Sequence, residues 1–382
     1  MTMKVALLYN KFLDHNGDRL ILGGVETYLY NLALLCQELG HEPTIYQCAN
    51  VSFQKRVASI PVIGIPLTAL ALKKRNLALF KHSYSQIDGT RDLLIFGADH
   101  ASVPTHNART ISIQHGISWD LPTKFLSARP LAKYAPFAQI LKRRVIAHYK
   151  QCFENCPNTV CVDYNFLNWY RTTISETPSS HRIWVIPNFS PIAQSTAIVS
   201  REYSDTNIRI LFARRFVAMR GTRIFADALE PLLKMHPNIY CTFAGEGPDE
   251  SWLRSRFCNN SRVSFMKYLP DQTLDVHLKH DIAVIPSIAS EGTSLSVAEA
   301  MACGCTVLAT AVGGITNMII SNYNGILSMP DHKSLQVNLD LLIRNQDLRK
   351  RLSINAYKTA EQAFSLEHWK SSWKKVIHEI AE

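Results

Sequence analysis

The chain has 382 residues, of which 47% are hydrophobic and 19% charged, and this composition excludes a disordered or low-complexity protein. Its length predicts two domains, each large enough for its own core. The formal net charge of +10 is unevenly placed, because residues 1–190 hold 20 Lys and Arg against 12 Asp and Glu, whereas residues 191–382 hold 21 against 19. The positive excess therefore belongs to the first half.

The sequence predicts a cytoplasmic protein. The opening residues MTMKVALLYN enter a strand-like run at once, so we expect no secretory signal. The longest apolar run, residues 58–72, is interrupted by Pro61 and Pro66 and is too short to span a bilayer. The nine cysteines lack the spacing of zinc ligands, which favours free thiols in a reducing compartment and no structural metal.

Strand and helix patterns alternate along the first half. Residues 4–9 predict a buried strand, and after a polar loop Gly23 and Gly24 open a helical pattern that ends at Gly40. A strand, a glycine pair and a helix can bring backbone close to a phosphate, although an ordinary turn also uses glycine. The next strands are predicted at residues 44–47, 93–96, 110–114, 159–162 and 183–186.

His115 directly follows the strand predicted at residues 110–114. The carboxyl ends of parallel strands face the ligand crevice of a doubly wound sheet, so His115 is a candidate contact to a ligand. Taken alone, a histidine here could equally be packed or on the surface.

Two segments of the first half are basic and apolar and contain no acidic residue. Such segments can lie on an anionic membrane surface, and the alternatives are a nucleic-acid site or solvated helix faces. Because the sequence has no zinc finger, RNA-recognition motif or basic tail, we expect a membrane surface and no nucleic acid. The cations of residues 54–81 are Lys55, Arg56, Lys73, Lys74, Arg75 and Lys81, and those of residues 121–150 are Lys124, Arg129, Lys133, Lys142, Arg143, Arg144 and Lys150.

The second half repeats the strand–loop–helix pattern after a polar run at residues 193–207, which predicts an interdomain linker. Residues 208–213 predict a strand that ends in the basic loop 214–221. Residues 239–244 predict a strand that ends at Gly245, and residues 263–266 one that ends shortly before Tyr268. From residue 331 onward the pattern is helical.

Residues 286–315 carry the clearest functional pattern. A strand at 282–285 precedes a polar loop, a helix at 295–303 and a strand at 306–310. Glu291 and Glu299 lie eight residues apart, about 12 Å if both were helical, which is too far for a shared proton transfer. The backbone N–H groups of Thr293, Ser294 and Leu295 at the helix start would favour an anion such as phosphate. A nucleotide sugar fits this arrangement; the alternative is a solvated loop acid and an exposed helix acid.

Glu291 and Glu299, followed by Ala-Met-Ala-Cys-Gly and by Gly313-Gly314-Ile315, resemble the signature of family 4 glycosyltransferases, the retaining GT-B enzymes of glycosyl transferases group 1. The resemblance implies an α/β fold of two Rossmann-like parallel-sheet domains facing across a cleft. It places an acceptor-side domain at 1–190 and a nucleotide-sugar domain at 191–364. Residues 365–382 would form a helix that crosses back to the first domain.

The resemblance also implies roles for single residues. Glu291 would contact the hydroxyls of the donor sugar and Glu299 the ribose, while His115 would contact the donor sugar near the reaction centre. Arg215 and Arg220 would neutralise the diphosphate, and Gly23 and Gly24 would form the glycine loop that faces the diphosphate and the acceptor. Gly245 would lie beside the donor, and Tyr268 near the nucleotide base of the donor.

Three positions depart from the family pattern. Arg214 replaces a glycine, Arg220 replaces a lysine, and Asn317 replaces a glutamate. An arginine can make two parallel bonds to a phosphate, so the change at residue 220 keeps the chemistry. The change at residue 214 can crowd the phosphate pocket.

We expect a retaining hexosyltransferase that moves a sugar from a nucleotide diphosphate, UDP in preference to GDP-mannose, to a lipid-linked saccharide acceptor in cell-surface polysaccharide synthesis, such as lipopolysaccharide or capsule. No Asp-x-Asp occurs in the sequence, so we expect neither a metal nor another cofactor. The protein would lie peripherally on the cytoplasmic membrane face. The alternatives are a non-catalytic nucleotide-sugar-binding relative or partner subunit, and a sugar-nucleotide epimerase.

Overall fold

The computed structural model describes residues 2–21, 23–117, 120, 135–173, 181–199, 201, 203, 205–289 and 291–382. Contacts within the chain divide it into two compact units. Unit 1 comprises Met1–His115, Arg129–Ile186 and Lys370–Glu382, and unit 2 comprises Gly116–Ala128 and Pro187–Trp369.

Unit 1 is built on an eight-stranded sheet in the order β3-β4-β2-β1-β5-β6-β7-β8. Every pair of neighbours is parallel except β3 and β4. The strands are β1 (Lys4–Tyr9), β2 (Glu42–Ala49), β3 (Phe53–Val57), β4 (Ile60–Pro66), β5 (Leu93–Phe96), β6 (Thr110–Gln114), β7 (Asn158–Cys161) and β8 (Arg182–Val185).

A helix follows β1, β4, β6 and β7 in the chain, as is usual for a crossover connection, whereas β5 is followed by the short 3-10 turn Asp99–Ala101. The central strands β5, β6 and β7 are buried along their whole length. β5 is accordingly a continuous apolar run, whereas β6 and β7 also bury polar side chains. The helices before residue 190 are α1 (Gly24–Glu38), α2 (Leu72–Tyr84), α3 (Ala135–Glu154) and α4 (Tyr164–Arg171).

The hairpin of β3 and β4 is the main difference from the sequence expectation in unit 1. The sequence suggested that residues 54–81 form one basic, apolar, membrane-facing segment. Instead, β4 pairs in parallel with β2, and Ile60 and Val62 are fully buried in the sheet. Part of the apolar stretch therefore belongs to the core, and within residues 54–81 the part that could face a membrane is α2.

Unit 2 is built on a six-stranded parallel sheet in the order β11-β10-β9-β12-β13-β14. Its strands are β9 (Ile208–Ala213), β10 (Ile239–Ala244), β11 (Val263–Met266), β12 (Ile282–Ile285), β13 (Thr306–Thr310) and β14 (Ile326–Ser328). Its helices are α5 (Ser195–Val199), α6 (Thr222–Met235), α7 (Glu250–Arg256), α8 (Thr273–Leu278), α9 (Leu295–Ala302), α10 (His332–Arg344) and α11 (Gln346–Ala363).

The run predicted as a linker, residues 193–207, packs in part onto unit 2. Ala193 is buried, its N–H donates to the Ala302 carbonyl, and its carbonyl accepts from the Tyr357 hydroxyl at 3.0 Å. The helix α5 also lies within this run. The boundary between the units falls after Ile186, four residues before the predicted one.

The last helix, α12 (Leu366–Ala381), contributes to both units, because residues up to Trp369 belong to unit 2 and residues from Lys370 belong to unit 1. Trp369 packs on Phe189 at a ring distance of 4.5 Å within unit 2. Trp373 is fully buried in unit 1 and donates its indole N–H to the Tyr28 hydroxyl at 2.7 Å. The sequence assigned the whole of 365–382 to the first domain.

None of the helices in the described ranges is long and apolar enough to cross a lipid bilayer.

Candidate functional site

The carboxyl ends of β9 and β12 bring two loops of unit 2 together. These strands are parallel neighbours, with Ile210 paired to Ile282 and Leu211 to Ala283. The loops that follow them, residues 214–221 and 286–294, must therefore leave the sheet at the same edge. Ligands bind at this edge of an open α/β sheet.

Glu291 is the centre of a buried ion cluster in these loops. Its Oε1 atom accepts hydrogen bonds from Arg214 Nη2 and from Arg220 Nη1, both at 2.5 Å. The Ser287 hydroxyl donates to the same oxygen and accepts from Arg214 Nη1 at 2.5 Å. The side chains of Arg214 and Glu291 are 5% and 7% exposed, whereas that of Arg220 is 31% exposed. One arginine is therefore enclosed and the other reaches the surface.

The carboxylate of Glu291 is held in its ionised form. Burial raises its pKa, but the positive charges of Arg214 and Arg220, followed by the hydrogen bonds from Ser287 and Arg214, outweigh burial and leave the pKa below its ordinary value. A permanently charged acceptor for hydroxyl groups results.

A glycine pair fixes the backbone of Glu291. The Gly314 N–H donates to the Glu291 carbonyl at 2.9 Å, and Gly313 adopts a φ of +50° above that carbonyl. A Cβ atom on Gly313 would lie 2.1 Å from the Glu291 carbonyl oxygen, so no other residue fits here without moving the loop. The Gly313-Gly314 part of the sequence signature thus positions the acid.

Glu299, on α9, lies in the field of the same Arg214. Burial raises the pKa of Glu299 to about 7, and the charge of Arg214 offsets this only in part. The pKa of the Tyr268 hydroxyl is also raised, first by burial and then by the Glu299 carboxylate. Tyr268 is partly buried against a small apolar cluster that contains Leu211 and Ala244. Arg214 therefore links Glu291, Glu299 and Tyr268, three of the predicted site residues.

The start of α9 is less open than the sequence suggests. Thr293 is buried, its hydroxyl accepts from the Asn188 N–H at 2.8 Å, and its carbonyl accepts from the Asn188 side chain. The Ser294 N–H points at the sulfur of Met318 at 3.2 Å, a weak acceptor. Leu295 is the first residue of the helix, after Ser294 as its N-cap. Of the three predicted anion donors, Ser294 is thus already occupied.

Gly245 is required by the path of the neighbouring loop. It has a φ of +147°, and a Cβ atom there would lie 2.1 Å from the Arg214 carbonyl oxygen. Its N–H donates to the Met266 carbonyl at 2.9 Å. The predicted role of Gly245 beside the donor remains a prediction, but the structure shows a packing reason for glycine at this position.

Arg214 and Ser287 are the site residues that sequence reasoning missed. Arg215, chosen as a phosphate ligand, is exposed, and its side chain has no hydrogen bond or ion pair to the described residues. The pairing of β9 with β12 carries the missing information, since the first residue after β9 must lie beside the first residues after β12. Pairing order cannot be read from the motif alone.

In unit 1, His115 is half-buried. Its Nε2 atom lies 2.8 Å from the Gly97 carbonyl, and because a carbonyl only accepts, Nε2 carries the proton. Burial lowers the pKa of His115 to about 4, so the imidazole is neutral at physiological pH. The ring of Tyr28 packs edge-on against it at 5.4 Å. A neutral ring of fixed orientation can accept a hydrogen bond at Nδ1.

Gly23 and Gly24 mark the start of α1. Gly23 is the N-cap in an extended conformation, and Gly24 is the first helical residue. The Glu26 carboxylate folds back over Gly23, to within 2.3 Å of where a Cβ atom would lie. The Glu26 side chain also bonds the Tyr9 hydroxyl, whose pKa is raised by burial and then by this carboxylate. An acid therefore covers the glycine pair predicted to face the diphosphate.

Comparisons with known proteins identify the fold and give a family match in the second half of the chain. Residues 196–359, which include both acids and all three arginines of the site, match the family model described as "Glycosyl transferases group 1". The structure is similar over 99% of both chains to sucrose-phosphate synthase from Thermosynechococcus elongatus, with a TM-score of 0.75 and 15% identity. It is also similar to the Anabaena protein HepE in complex with UDP and glucose, with a TM-score of 0.70, 15% identity, and 98% and 99% of the two chains covered. The fold is therefore GT-B, as predicted, and the family match supports glycosyl transferases group 1.

Two relatives illustrate the sequence likeness. The chain is 24% identical over 332 residues, 84% of its length, to one of the subunits of human phosphatidylinositol N-acetylglucosaminyltransferase. It is 29% identical over 177 residues, 45% of its length, to an uncharacterised glycosyltransferase of Methanocaldococcus jannaschii. These alignments cover 66% and 48% of the relatives' own lengths, less than two thirds of each.

Proposed function

We propose that this protein is a retaining, metal-independent hexosyltransferase that uses a nucleotide-diphosphate sugar, with UDP preferred as the nucleotide. The observation that carries the proposal is the buried Glu291 carboxylate with Arg214 and Arg220 in contact, at the carboxyl edge of the unit 2 sheet. This cluster lies within the segment that matches the family model. The structural likeness to a protein bound to UDP and glucose is consistent with a UDP-sugar donor.

Fixed positive charge supports departure of the diphosphate. Arg220 is 31% exposed and Arg215 is an exposed neighbour, so both can reach a bound anion. Guanidinium groups make paired hydrogen bonds to phosphate and need no proton transfer. Preorganised charge of this kind usually contributes most of the acceleration in group transfer.

The family resemblance supplies the course of the reaction. The bond between the sugar C1 and the diphosphate oxygen breaks, and the acceptor hydroxyl oxygen bonds to C1 on the same face, which retains the configuration. The hydroxyl proton passes to the departing phosphate. In this scheme a neutral His115 orients the sugar and does not act as the base, in agreement with its pKa of about 4.

A lipid-linked saccharide acceptor, at the cytoplasmic membrane face and in cell-surface polysaccharide synthesis, is part of the proposal. In α2, Leu72 and Leu77 are 52% and 43% exposed, and Lys73 and Lys74 are exposed beside them. In α3, Ile140 is 49% exposed, near exposed Arg143 and Arg144. Exposed apolar side chains next to cations are typical of surfaces that bind anionic lipid. Lys124, Arg129 and Lys133 of the second predicted segment lie outside the described residues.

The test is a donor screen. Purified protein is incubated with several UDP- and GDP-sugars and a lipid-linked saccharide acceptor, and products are identified by mass spectrometry. Glu299→Ala and Arg215→Ala should each lower donor turnover by about 100-fold or more, whereas Lys333→Ala, an exposed cation distant in sequence, should not. Wild-type rates in the first two variants would contradict the assignment.

A non-catalytic nucleotide-sugar binder is the second candidate, and the observation that favours it is the engagement of Glu291 by two arginines. It predicts that UDP or a UDP-sugar binds in calorimetry while mass spectrometry detects neither transfer nor hydrolysis of any donor. The same screen therefore separates the two functions.

A further inference from the structure

The Glu291 carboxylate has one more cation in contact than its charge requires. Arg214 and Arg220 both donate to Oε1, and the Ser287 hydroxyl donates to the same oxygen. A single guanidinium is enough to balance one carboxylate. The second guanidinium therefore needs its own explanation.

The two arginines differ in their burial. Arg214 is 5% exposed, its second nitrogen is bonded to Ser287, and its backbone N–H donates to the Ala244 carbonyl at 3.0 Å. Its carbonyl lies directly under Gly245. Arg220 is 31% exposed and ends the short 3-10 turn Ala218–Arg220. A bound anion can reach Arg220, while Arg214 is locked in place.

We infer that Arg214 is a positioning residue that keeps Glu291 charge-balanced while Arg220 exchanges this carboxylate for the diphosphate of a bound nucleotide. The inference rests on the proposed function, because it requires a nucleoside diphosphate at the site. Glu291 is 7% exposed. If Arg220 were the only cation in contact with it, the departure of Arg220 would leave an uncompensated buried charge. Such a charge is strongly unfavourable, and the exchange proceeds because Arg214 stays behind.

This role accounts for two departures from the family pattern together. A glycine at residue 214 would leave Glu291 with Arg220 as its only contacting cation. With arginine at both positions, one cation serves the acid and the other is available for the ligand. The first keeps the Glu291 carboxylate fixed as the acceptor for sugar hydroxyls, and the second binds the phosphates.

Two other roles for Arg214 give different expectations. If Arg214 contacts the diphosphate itself, its loss weakens nucleotide binding whatever residue stands at 291. If Arg214 only stabilises the fold, its loss lowers the unfolding temperature and leaves nucleotide affinity unchanged. The dependence of the Arg214 effect on Glu291 distinguishes these cases.

The experiment is a double-mutant cycle on UDP affinity. Calorimetry at pH 8 compares the wild type, Arg214→Gln, Glu291→Gln and the double variant, with GDP as a second probe and thermal unfolding as the check on folding. Arg214→Gln should bind UDP roughly tenfold more weakly or worse. Glu291→Gln should bind UDP as tightly as the wild type or more tightly, because it releases Arg220 and UDP carries no sugar. The double variant should lie within about twofold of Glu291→Gln.

The outcomes of this cycle distinguish the proposed role of Arg214 from its alternatives. An equal loss of affinity on removing Arg214 in both backgrounds, or no loss at all, overturns the inference while leaving the proposed function intact. If Arg214→Gln does not fold, Arg214→Lys replaces it in the cycle and should lose less affinity, again only when Glu291 is present. A wild-type protein that binds neither UDP nor GDP refutes the proposed function and this inference with it.

Discussion

Glu299 is the site acid whose charge changes near neutral pH. Its pKa of about 7 in the free protein arises from burial and is only partly offset by Arg214. A carboxylate accepts hydrogen bonds from ribose hydroxyls better when it is ionised. If the nucleotide binds to Glu299, binding should therefore favour deprotonation of this carboxyl group.

From this we predict that UDP affinity rises between pH 6 and pH 8 by about tenfold, the change in the ionised fraction of a group with a pKa of 7. Calorimetry at pH 6, 7 and 8 measures it. Glu299→Gln provides the control, since the ionisation of UDP itself is common to both proteins. A rise of the same size in Glu299→Gln would show that Glu299 is not the group responsible.

Asp99, in unit 1, is a second acid with a displaced pKa, outside the predicted site. It follows β5, is 3% exposed, and accepts the His100 N–H at Oδ1 at 2.8 Å. Its Oδ2 atom is buried without a hydrogen-bond partner in the described part of the chain. Burial raises its pKa to about 7, against the opposing effect of the backbone hydrogen bonds.

Asp99 should make the protein less stable as the pH rises. Its folded pKa lies above its unfolded value of 3.8, so its contribution to stability is complete below pH 4 and is lost as the pH rises through 7. Asp99→Asn removes the ionisation and should raise the free energy of unfolding at pH 8 by a few kcal/mol, at about 1.4 kcal/mol per pKa unit, with little effect at pH 4. Urea titrations at both pH values measure this.

Asp88 is the matched control for that comparison. It is exposed and accepts the Thr90 N–H at 2.9 Å, and this hydrogen bond is among those that lower its pKa. Asp88→Asn should give no stability gain at pH 8. A gain of equal size in both variants would mean that general loss of negative charge, and not burial of Asp99, is the cause.

The site also shows what sequence can and cannot predict about single residues. Glu291, Glu299 and Arg220 were identified from spacing and resemblance, and the structure places all three in the field of Arg214 or in contact with it. The motif directed attention to the exposed Arg215, whose contact to the diphosphate stays a prediction, and gave no role to the buried Arg214 beside it. Which of two adjacent arginines is buried depends on the strand beside them, and that information is not local.

At the scale of elements, α2 is the part of the basic surface that can be tested separately. Its buried side is formed by Asn76, Leu79 and Ser83. Lys73 and Lys74, in the first turn of this helix, are exposed. Each cation near an anionic membrane contributes about 1 kcal/mol.

Lys73→Glu/Lys74→Glu should therefore reduce co-sedimentation with anionic vesicles by at least about tenfold, with no change for neutral vesicles. Lys333→Glu/Lys350→Glu makes the same change in charge at exposed positions of unit 2 and should have little effect. Equal losses in the two variants would assign binding to net charge alone and not to α2.

The helix α12 gives a second prediction at this scale, because its tryptophans pack in different units. Trp373→Ala should destabilise unit 1 by about 3–5 kcal/mol through the cavity, whereas Trp373→Phe loses mainly one hydrogen bond to Tyr28, about 1 kcal/mol. Hydrogen exchange should increase in β1 and β5. Trp369→Ala, one turn earlier, should increase exchange in unit 2 instead.

At the scale of the whole molecule, the sequence predicted most of the parallel sheet. The bounds of β1, β5, β9, β10, β12 and β13 match the prediction, because these strands are mostly buried and their mainly apolar sequences differ from the polar loops beside them. The hairpin β3–β4 was missed. Lys55 and Arg56 suggested a charged surface, and the apolar residues that follow them were assigned to the same surface segment, although a charged strand such as β3 is common at a sheet edge.

The position of the domain boundary could not be predicted from the amino-acid composition of the chain. Residues 193–207 are polar like a linker, yet the preceding Asn188 binds Thr293 and Ala193 binds Ala302 and Tyr357. These contacts are long-range and leave no local pattern. The two units were correctly expected, and their border depends on tertiary contacts.

Because α12 supplies Trp373 to the core of unit 1, that unit cannot finish folding during synthesis until residue 373 has left the ribosome. Unit 2, whose residues run from Pro187 to Trp369 apart from one short segment, has its main stretch available earlier. The half of the protein made first should therefore be the last to mature. Nascent chains arrested before residue 373 should show a protease-sensitive β1–β5 region beside an already resistant second half.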